Sequence, residues 1–195
     1  PVVNRFAFVN KGNVTLSLTA SPGNTTYTTA TTTTCSFTAI PSEDITVNLY
    51  RNDSLVNPEN NTAIVRAAKT YQFVCNNSAT QNYSTNSSTL ILIVSQNTST
   101  SQFMNLTING TEASQTFTYP QTSNATGNFN TSVFGNQVIT FTLFRNQTSI
   151  GTTNPVSDLA QFGAGVVNYS YNTSGNENYS SASKLINLTI NKANN

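Results

Sequence analysis

Short runs of alternating apolar and polar residues recur along the whole chain and predict β-strands. In the first run, Val14, Leu16 and Leu18 would face one side of a strand and the polar residues between them the other. Gly, Pro, Asn and Ser separate the runs, as is typical of a β-sandwich. No segment has a helical pattern, and we expect at most one short turn at Pro155–Phe162. The predicted strands are Val14–Thr19, Thr34–Ala39, Ile45–Arg51, Ala63–Arg66, Thr70–Asn76 and Thr89–Ser95, then Leu106–Ile108, Gln115–Tyr119, Phe129–Phe134, Val138–Arg145, Gly165–Asn172 and Leu185–Asn191.

The two halves of the chain repeat each other. The matching segments are Ile45–Asn52 with Ile139–Asn146, Tyr71–Ser84 with Val167–Ser180, Thr89–Gln96 with Lys184–Asn191, and Asn13–Thr19 with Asn105–Thr111. A repeat of about 90 residues has the size of a domain and is too long for a solenoid unit. We therefore predict an all-β fold of two tandem immunoglobulin-like β-sandwiches, residues 12–98 and 99–195, after an N-terminal extension of residues 1–11.

Composition favours a folded chain with an uncharged, polar exterior. Asn, Thr and Ser number 30, 33 and 22 of the 195 residues, and the formal net charge is +1. Disorder would need fewer apolar residues and a higher net charge. The near-zero charge argues against nucleic acid and anionic membranes as partners, and no stretch resembles a membrane-spanning segment. Since the chain opens at Pro1 with no signal peptide, we expect a mature product or a fragment.

The sequence offers no catalytic or metal-binding constellation. It contains no His, which is the commonest general base and metal ligand, and its seven acidic residues are scattered. Only Glu43 and Asp44 are adjacent, and neighbours on a strand point to opposite faces, so a turn explains them better than a carboxylate pair. We expect a protein that is not an enzyme and has no cofactor or metal.

The glycosylation signal Asn-X-Ser/Thr occurs 17 times. Composition alone would give about 8 such signals, roughly half that number. Abundant Asn, Ser and Thr could explain part of this excess. Where strands alternate, however, the acceptors fall opposite the apolar face, as Asn187 does between Ile186 and Leu188. We therefore predict N-linked glycans as covalent partners. The candidate acceptors are Asn13, Asn24, Asn52, Asn60, Asn76, Asn82, Asn86, Asn97, Asn105, Asn109, Asn124, Asn130, Asn146, Asn168, Asn172, Asn178 and Asn187.

Both cysteines, Cys35 and Cys75, fall in the first copy, in its second and second-last predicted strands. In an immunoglobulin-like sandwich these strands lie in opposite sheets and can be bridged. An even pair in a secreted chain favours a disulfide, and two buried free thiols are the alternative. In the second copy Tyr171 matches Cys75, and Phe129 lies near the position of Cys35. Aromatic residues are thus expected to replace the bridge there.

The segment Pro1–Lys11 precedes the first copy and is rich in apolar residues. It is either the first strand of its own domain or a strand that adds to the next subunit. In the second case a head-to-tail contact that does not close would build an open filament. The candidate polymerisation residues are Val2, Val3, Phe6, Phe8 and Val9.

Three motifs resemble the bacterial and archaeal Ig-like repeat family of large surface adhesins, pili and surface-layer proteins. They are the strand and turn Val47–Asn52 and Phe141–Asn146, the Tyr-rich run Thr70–Ser84 and Val166–Ser180, and the final strand Leu185–Ala193. The first copy departs by having Ala79 where the second has Gly175, and by its Cys pair. The composition is also similar to that of archaeal surface filaments, such as the thread-like pili of thermoacidophiles. The resemblance implies scaffolding and, for such filaments, donor-strand exchange between glycosylated subunits.

The function predicted from these features is a structural subunit of an extracellular, N-glycosylated cell-surface filament (a pilus or thread). It would polymerise head to tail with copies of itself by donor-strand addition. The alternative is a stalk segment of a larger adhesin or surface-layer protein, because the ending Asn191-Lys192-Ala193 resembles a junction between repeats. A sugar-binding module is a third interpretation, which exposed aromatic residues would have to support.

Overall fold

The computed structural model describes residues 7–39 and 45–194, and the chain divides into two units, Pro1–Ser95 and Gln96–Asn195. Glu43 and Asp44, and the apolar residues Val2, Val3 and Phe6, lie outside the described residues. The interpretations that concern them therefore stay predictions.

Two β-sheets form the described part of the first unit. Its strands are β1 (Thr15–Ser21), β2 (Thr25–Thr26), β3 (Ala30–Thr38), β4 (Val47–Arg51), β5 (Ser54–Leu55), β6 (Ala63–Val65), β7 (Thr70–Asn77) and β8 (Asn86–Ser95). One sheet has the order β1-β3-β6 and the other β2-β8-β7-β4-β5. Neighbouring strands are antiparallel, except that β2 runs parallel to β8. A short 3-10 helix, Asn57–Glu59, follows β5.

The second unit repeats this topology. Its strands are β9 (Met104–Ile108), β10 (Gln115–Thr118), β11 (Thr122–Phe129), β12 (Thr142–Arg145), β13 (Thr148–Gly151), β14 (Val156–Gln161), β15 (Gly165–Thr173) and β16 (Ala182–Asn191). The sheets have the orders β9-β11-β14 and β10-β16-β15-β12-β13, and β10 runs parallel to β16. Two 3-10 helices, Ser99–Phe103 and Thr131–Phe134, complete the unit.

In each unit the two sheets enclose a core of side chains from alternate strand positions. Leu49, Phe73 and Leu92 are almost inaccessible in the first unit, as are Phe141 and Leu188 in the second. Burying one such side chain contributes about 1.5–3 kcal/mol. The predicted fold class, two immunoglobulin-like β-sandwiches, is confirmed.

Three element predictions in the second copy are wrong. The predicted strand Phe129–Phe134 is instead the end of β11 followed by a 3-10 helix. The predicted strand Val138–Arg145 begins only at Thr142. The segment expected to form a turn at Pro155–Phe162 is mainly the strand β14.

The first strands of the two copies match in a different register from the one that the sequence repeat suggested. Leu18 pairs with Cys35 on β3, and Leu106 pairs with Gly127 on β11. Cys35 contacts Cys75, and Gly127 contacts Tyr171, which matches Cys75 in the repeat. Cys35 and Gly127 are therefore equivalent, and so are the residues opposite them, Leu18 and Leu106. The match of Asn13 with Asn105 is wrong.

Candidate glycosylation and strand-addition sites

A disulfide joins the two sheets of the first unit. Cys35 on β3 and Cys75 on β7 are bonded, with their Cα atoms 5.5 Å apart. Leu49 of β4 lies beside Cys75 in the five-stranded sheet, just as Leu143 of β12 lies beside Tyr171 in the second unit. The disulfide prediction is confirmed, and Tyr171 takes the position of Cys75.

A tyrosine packed on a glycine takes the place of this bridge in the second unit. A Cβ atom on Gly127 would lie 2.6 Å from Cδ2 of Tyr171, so no larger residue fits without movement. Phe129, expected near this position, lies two residues further along β11. It lies in the same aromatic cluster, stacked on Phe141 at 4.2 Å between ring centroids, while Phe141 lies 5.7 Å from Tyr171. Aromatic packing therefore replaces the covalent link, as expected.

A charged cluster also crosses each sandwich. In the first unit Glu59 receives hydrogen bonds from Arg51 and from Arg66, the latter at 3.0 Å. Arg66 is only 4% exposed and also donates to the carbonyl of Thr31 at 3.0 Å. In so buried a place the guanidinium depends on these partners to offset its lost hydration.

The corresponding cluster in the second unit includes a tyrosine. Arg145 of β12 donates to the Asp158 carboxylate of β14 at 3.0 Å, and the Tyr169 hydroxyl donates to the same carboxylate at 2.8 Å. Burial, and then the hydrogen bond and charge of Asp158, raise the pKa of Tyr169 well above its usual value. Burial alone raises the pKa of Tyr171 to about 12. Both hydroxyls are thus held neutral.

The structure leaves most of the 17 candidate acceptors at least partly accessible. The exposed acceptors are Asn13, Asn24, Asn52, Asn82, Asn86, Asn109, Asn130, Asn146, Asn168 and Asn187. The half-buried acceptors are Asn60, Asn76, Asn97, Asn105, Asn124 and Asn172. Asn178 is buried, with 6% of its surface exposed. Most acceptors are therefore accessible enough to carry a glycan, but the buried Asn178 is not.

Three of the exposed signals have a role in folding, whether or not they carry a glycan. Asn52, Asn109 and Asn146 each begin a two-residue hairpin turn with φ of 46°, 49° and 46°, a conformation that Asn tolerates well. Each side-chain oxygen also accepts a backbone N–H of a neighbouring strand, from Gln72, Asn124 and Asn168 respectively. Turn chemistry thus explains part of the excess of signals.

Some acceptor nitrogens are used within the fold. The Nδ2 atom of Asn60 donates to the Cys35 carbonyl at 3.0 Å, and that of Asn86 donates to the Val14 carbonyl at 2.8 Å. Asn178 donates to Oε1 of Gln137 at 3.0 Å. A glycan is linked through this same nitrogen, so modification would compete with these bonds in the folded chain.

Each unit begins with the same backbone contact. The Gly12 N–H donates to the Asn82 carbonyl at 2.7 Å, and the Gly12 carbonyl accepts from Ser84 N–H at 3.0 Å. In the second unit Asn97 makes the corresponding bonds, donating to Asn178 at 2.9 Å and accepting from Ser180 at 3.1 Å. Gly12 and Asn97 therefore occupy equivalent positions at the start of the two units.

Among the candidate polymerisation residues, the structure describes Phe8 and Val9. They are 95% and 92% exposed. Exposure of two adjacent large apolar side chains costs free energy that a partner surface would recover.

A polar groove lies on the outer face of the five-stranded sheet in the first unit. Its volume is about 580 Å³, and Tyr50 lies within it beside the candidate acceptor Asn76. Sequence reasoning missed this groove, because the tyrosines as a group were expected mostly to lie in strand cores. The signal was available in the alternation itself, since Tyr50 follows the inward-facing Leu49.

The described residues contain no group of three or more His, Cys, Asp or Glu that could hold a metal ion. The same part of the chain forms no helix long and apolar enough to cross a membrane.

No protein-family model matches the sequence, and no curated protein matches it. Among solved structures, the chain is similar to the fibronectin(III)-like modules of Clostridium thermocellum CbhA, with 11% identity, coverage of 92% of this chain and 95% of that one, and a TM-score of 0.34. It is also similar to Drosophila N-cadherin EC1-3 (12% identity, 94% and 69% coverage, TM-score 0.33). A third similar structure is that of the Bacteroides ovatus protein SGBP-B in complex with a mixed-linkage heptasaccharide (11% identity, coverage of 95% of this chain and 69% of that one, TM-score 0.30).

Proposed function

We propose that the chain is a non-catalytic structural segment of an N-glycosylated, extracellular stalk built from tandem Ig-like modules. Residues 1–11 would act in it as the last strand of a neighbouring sandwich. The observation that carries this proposal is the equivalence of Gly12 and Asn97, which make the same two backbone hydrogen bonds at the start of their units.

The strand role follows from what precedes each of these two residues. The chain before Asn97 is β8, the last strand of the first unit. By equivalence, the chain before Gly12 corresponds to a last strand as well. The sequence agrees, since Asn10-Lys11-Gly12-Asn13 is similar to Asn191-Lys192-Ala193-Asn194, which follows directly from β16.

The position of a last strand is already filled in both described units. β8 lies between β2 and β7, and β16 lies between β10 and β15. A second copy of this chain therefore offers no vacancy of that kind to residues 1–11. This favours a neighbouring module of the same stalk as the partner.

A filament of chains joined by strand addition is the second candidate. It is favoured by the exposure of Phe8 and Val9. The added strand would have to pair with an open sheet edge, such as β14, where Leu159 is 72% exposed.

An extracellular location is supported by the disulfide, which persists in oxidising compartments. The exposed glycosylation signals support the same location, because glycans could supply the hydration that a chain of net charge +1 lacks.

The two candidates differ in polymer formation and in chain length. We would compare the intact chain, the chain lacking residues 1–10, and the Phe8→Ser/Val9→Ser variant by light scattering and electron microscopy. If the chain is a stalk segment, all three proteins stay monomeric, and deglycosylated native material contains a chain with a mass above 21.0 kDa. Polymers of 21.0 kDa subunits that disappear on truncation would refute the stalk and support strand addition.

A further inference from the structure

The groove on the outer face of the first unit is lined by Tyr50 and by residues of two glycosylation signals, Asn76 and Asn86. A smaller concavity of about 240 Å³ adjoins it, and Tyr50 and Asn76 border both. The groove of about 580 Å³ falls within the range of volumes typical of small-molecule sites. It therefore has the size to hold a saccharide.

Strand register places the key side chains on one face. Leu49 and Cys75 point into the core, so Asn48, Tyr50 and Asn76 point outward. Asn48 lies directly opposite Asn76 in the ladder between β4 and β7. Tyr50 is diagonal to Asn76, at a distance of about 7–8 Å that an aromatic side chain can reach across.

Internal hydrogen bonds fix the polar lining. The Nδ2 atom of Asn57 donates to Oδ1 of Asn48 at 2.9 Å, which fixes the oxygen end of the Asn48 amide, and Asn48 lines the groove. Asn77 alternates with Asn76 and is buried, and it donates to the carbonyls of Ser78 and Ser84 and accepts from the N–H of Asn86, which fixes the backbone beside the groove. The wall of the groove is thus set before any ligand arrives.

The two acceptors in the groove are not equivalent. Asn86 lies opposite the buried Asn77, and its Nδ2 donates to the Val14 carbonyl at 2.8 Å on the inner side of the sheet. The side chain of Asn76 points outward, and its amide makes no hydrogen bond with the described residues. In the second unit Asn172 takes the place of Asn76, and both ends of its amide are bonded, to Ser170 and Ser183. Asn76 alone among these three leaves its acceptor nitrogen available.

We propose that the N-linked glycan of Asn76 lies in this groove. Its proximal sugar would pack against the Tyr50 ring, which offers an apolar face, and would accept a hydrogen bond from the Asn48 amide. Because the glycan is tethered to Asn76, its effective concentration at the groove is high and a weak contact suffices to keep it in place. This inference rests on the proposed glycosylation of the chain.

The test compares Asn76→Gln with the matched control Asn168→Gln, an exposed acceptor on β15, in chains made with and without N-glycosylation. Glycopeptide mass spectrometry first gives the occupancy of each site. We expect Asn76→Gln to lower the Tm of the first unit by about 4 °C in the glycosylated chain only, a shift of the size that one favourable contact makes in a domain this small. Asn168→Gln should change neither form.

A second measurement reports on the contact directly. NMR of the glycosylated chain should show ring-current shifts of the protons of the proximal sugar at Asn76, and these should vanish in Tyr50→Leu. The inference is overturned if Asn76 is unmodified while other signals carry glycans, or if the sugar at Asn76 shows no such shift. Absence of glycans at every signal would overturn this inference and the glycan part of the proposed function together.

Discussion

Tyr169 and Tyr171 project from the same face of β15 into the core, but their hydroxyls meet different surroundings. The Tyr169 hydroxyl donates to Asp158, whereas the Tyr171 hydroxyl is buried and has no hydrogen-bond partner among the described residues. Removing a hydrogen bond to a charged group costs about 1.5–3 kcal/mol, while removing an unpaired buried hydroxyl costs little or is stabilising.

We therefore expect Tyr169→Phe to lower the free energy of unfolding of the second unit by about 2 kcal/mol. Tyr171→Phe, the matched control at the neighbouring inward position, should leave it unchanged or raise it. Urea denaturation followed by circular dichroism measures both. Equal losses in the two variants would contradict the difference in bonding.

We expect the second unit to lose stability in alkali, because the Tyr171 hydroxyl is buried. Burial raises the pKa of Tyr171 to about 12, above the value of about 10 that a tyrosine has in the unfolded chain. The stabilisation is fully present below pH 10 and is lost as the pH rises from about 10 to 12, because ionisation then favours the unfolded state. The free energy of unfolding of the second unit should fall across this range, and less steeply in Tyr171→Phe. If the free energy of unfolding does not change up to pH 12, the Tyr171 hydroxyl ionises in the folded unit at the same pH as in the unfolded chain.

At this scale the sequence identified Tyr171 but not its partner. The match of Tyr171 with Cys75 was available because the surrounding motif repeats. Gly127 carries no apolar signal, and its role comes only from the space that it leaves for the ring of Tyr171. The sequence pointed only to the nearby Phe129, because a large apolar residue is what hydrophobic patterning detects.

At the scale of strands and sheets, a different cross-link holds each sandwich together. In the first unit the disulfide closes a loop of 40 residues. In the chain-entropy account this stabilises the folded state by about 4 kcal/mol.

The double variant Cys35→Ala/Cys75→Ala should lose about that amount of stability in the first unit only. Differential scanning calorimetry would resolve this as a lower transition for one unit and an unchanged transition for the other. Reductant added to the unmodified chain should have the same effect. A shift of both transitions would mean that the two units do not unfold separately.

The charged cluster gives a second prediction for the first unit. Glu59→Gln would leave Arg66 buried without its counter-charge, which costs about 3 kcal/mol or more. Glu112→Gln is the control, because Glu112 pairs with Lys184 at the surface and such pairs contribute less than about 1 kcal/mol. The midpoints of chemical denaturation of the two variants provide the comparison. A loss from Glu59→Gln no greater than from Glu112→Gln would argue that water reaches Arg66.

The predicted strands were correct where apolar residues point inward and polar residues outward. β14 was missed because it reverses that rule: Asp158 is half-buried against Arg145, while Leu159 on the other face is 72% exposed. Near the start of β12, Ile139 and Phe141 are buried but lie outside the strand. Burial of a side chain there does not require a hydrogen-bonded ladder, so periodicity alone could not place the boundary.

At the scale of the whole molecule, the internal repeat was the strongest signal in the sequence. It predicted two sandwiches because matching segments such as Ile45–Asn52 and Ile139–Asn146 need matching surroundings. Candidate sites were less predictable. An Asn-X-Ser/Thr signal reads the same at the exposed Asn187 and at the buried Asn178, and only the fold separates them.

The disulfide makes the two units unequal under tension. When the first unit is stretched between Gly12 and Ser95, the segment between Cys35 and Cys75 cannot lengthen. Unfolding of the first unit can therefore release at most about 150 Å of chain. Unfolding of the second unit, between Asn97 and Asn191, can release about 330 Å. Single-molecule stretching should record two steps below these limits, with the step of the first unit about half as long as that of the second, and reductant should raise the limit for the first unit to about 290 Å. In the proposed stalk, pulled by flow or by an attached cell, unfolding of the first unit would lengthen the chain only a little, because the disulfide keeps its two sheets joined. Unfolding of the second unit would lengthen the chain much more.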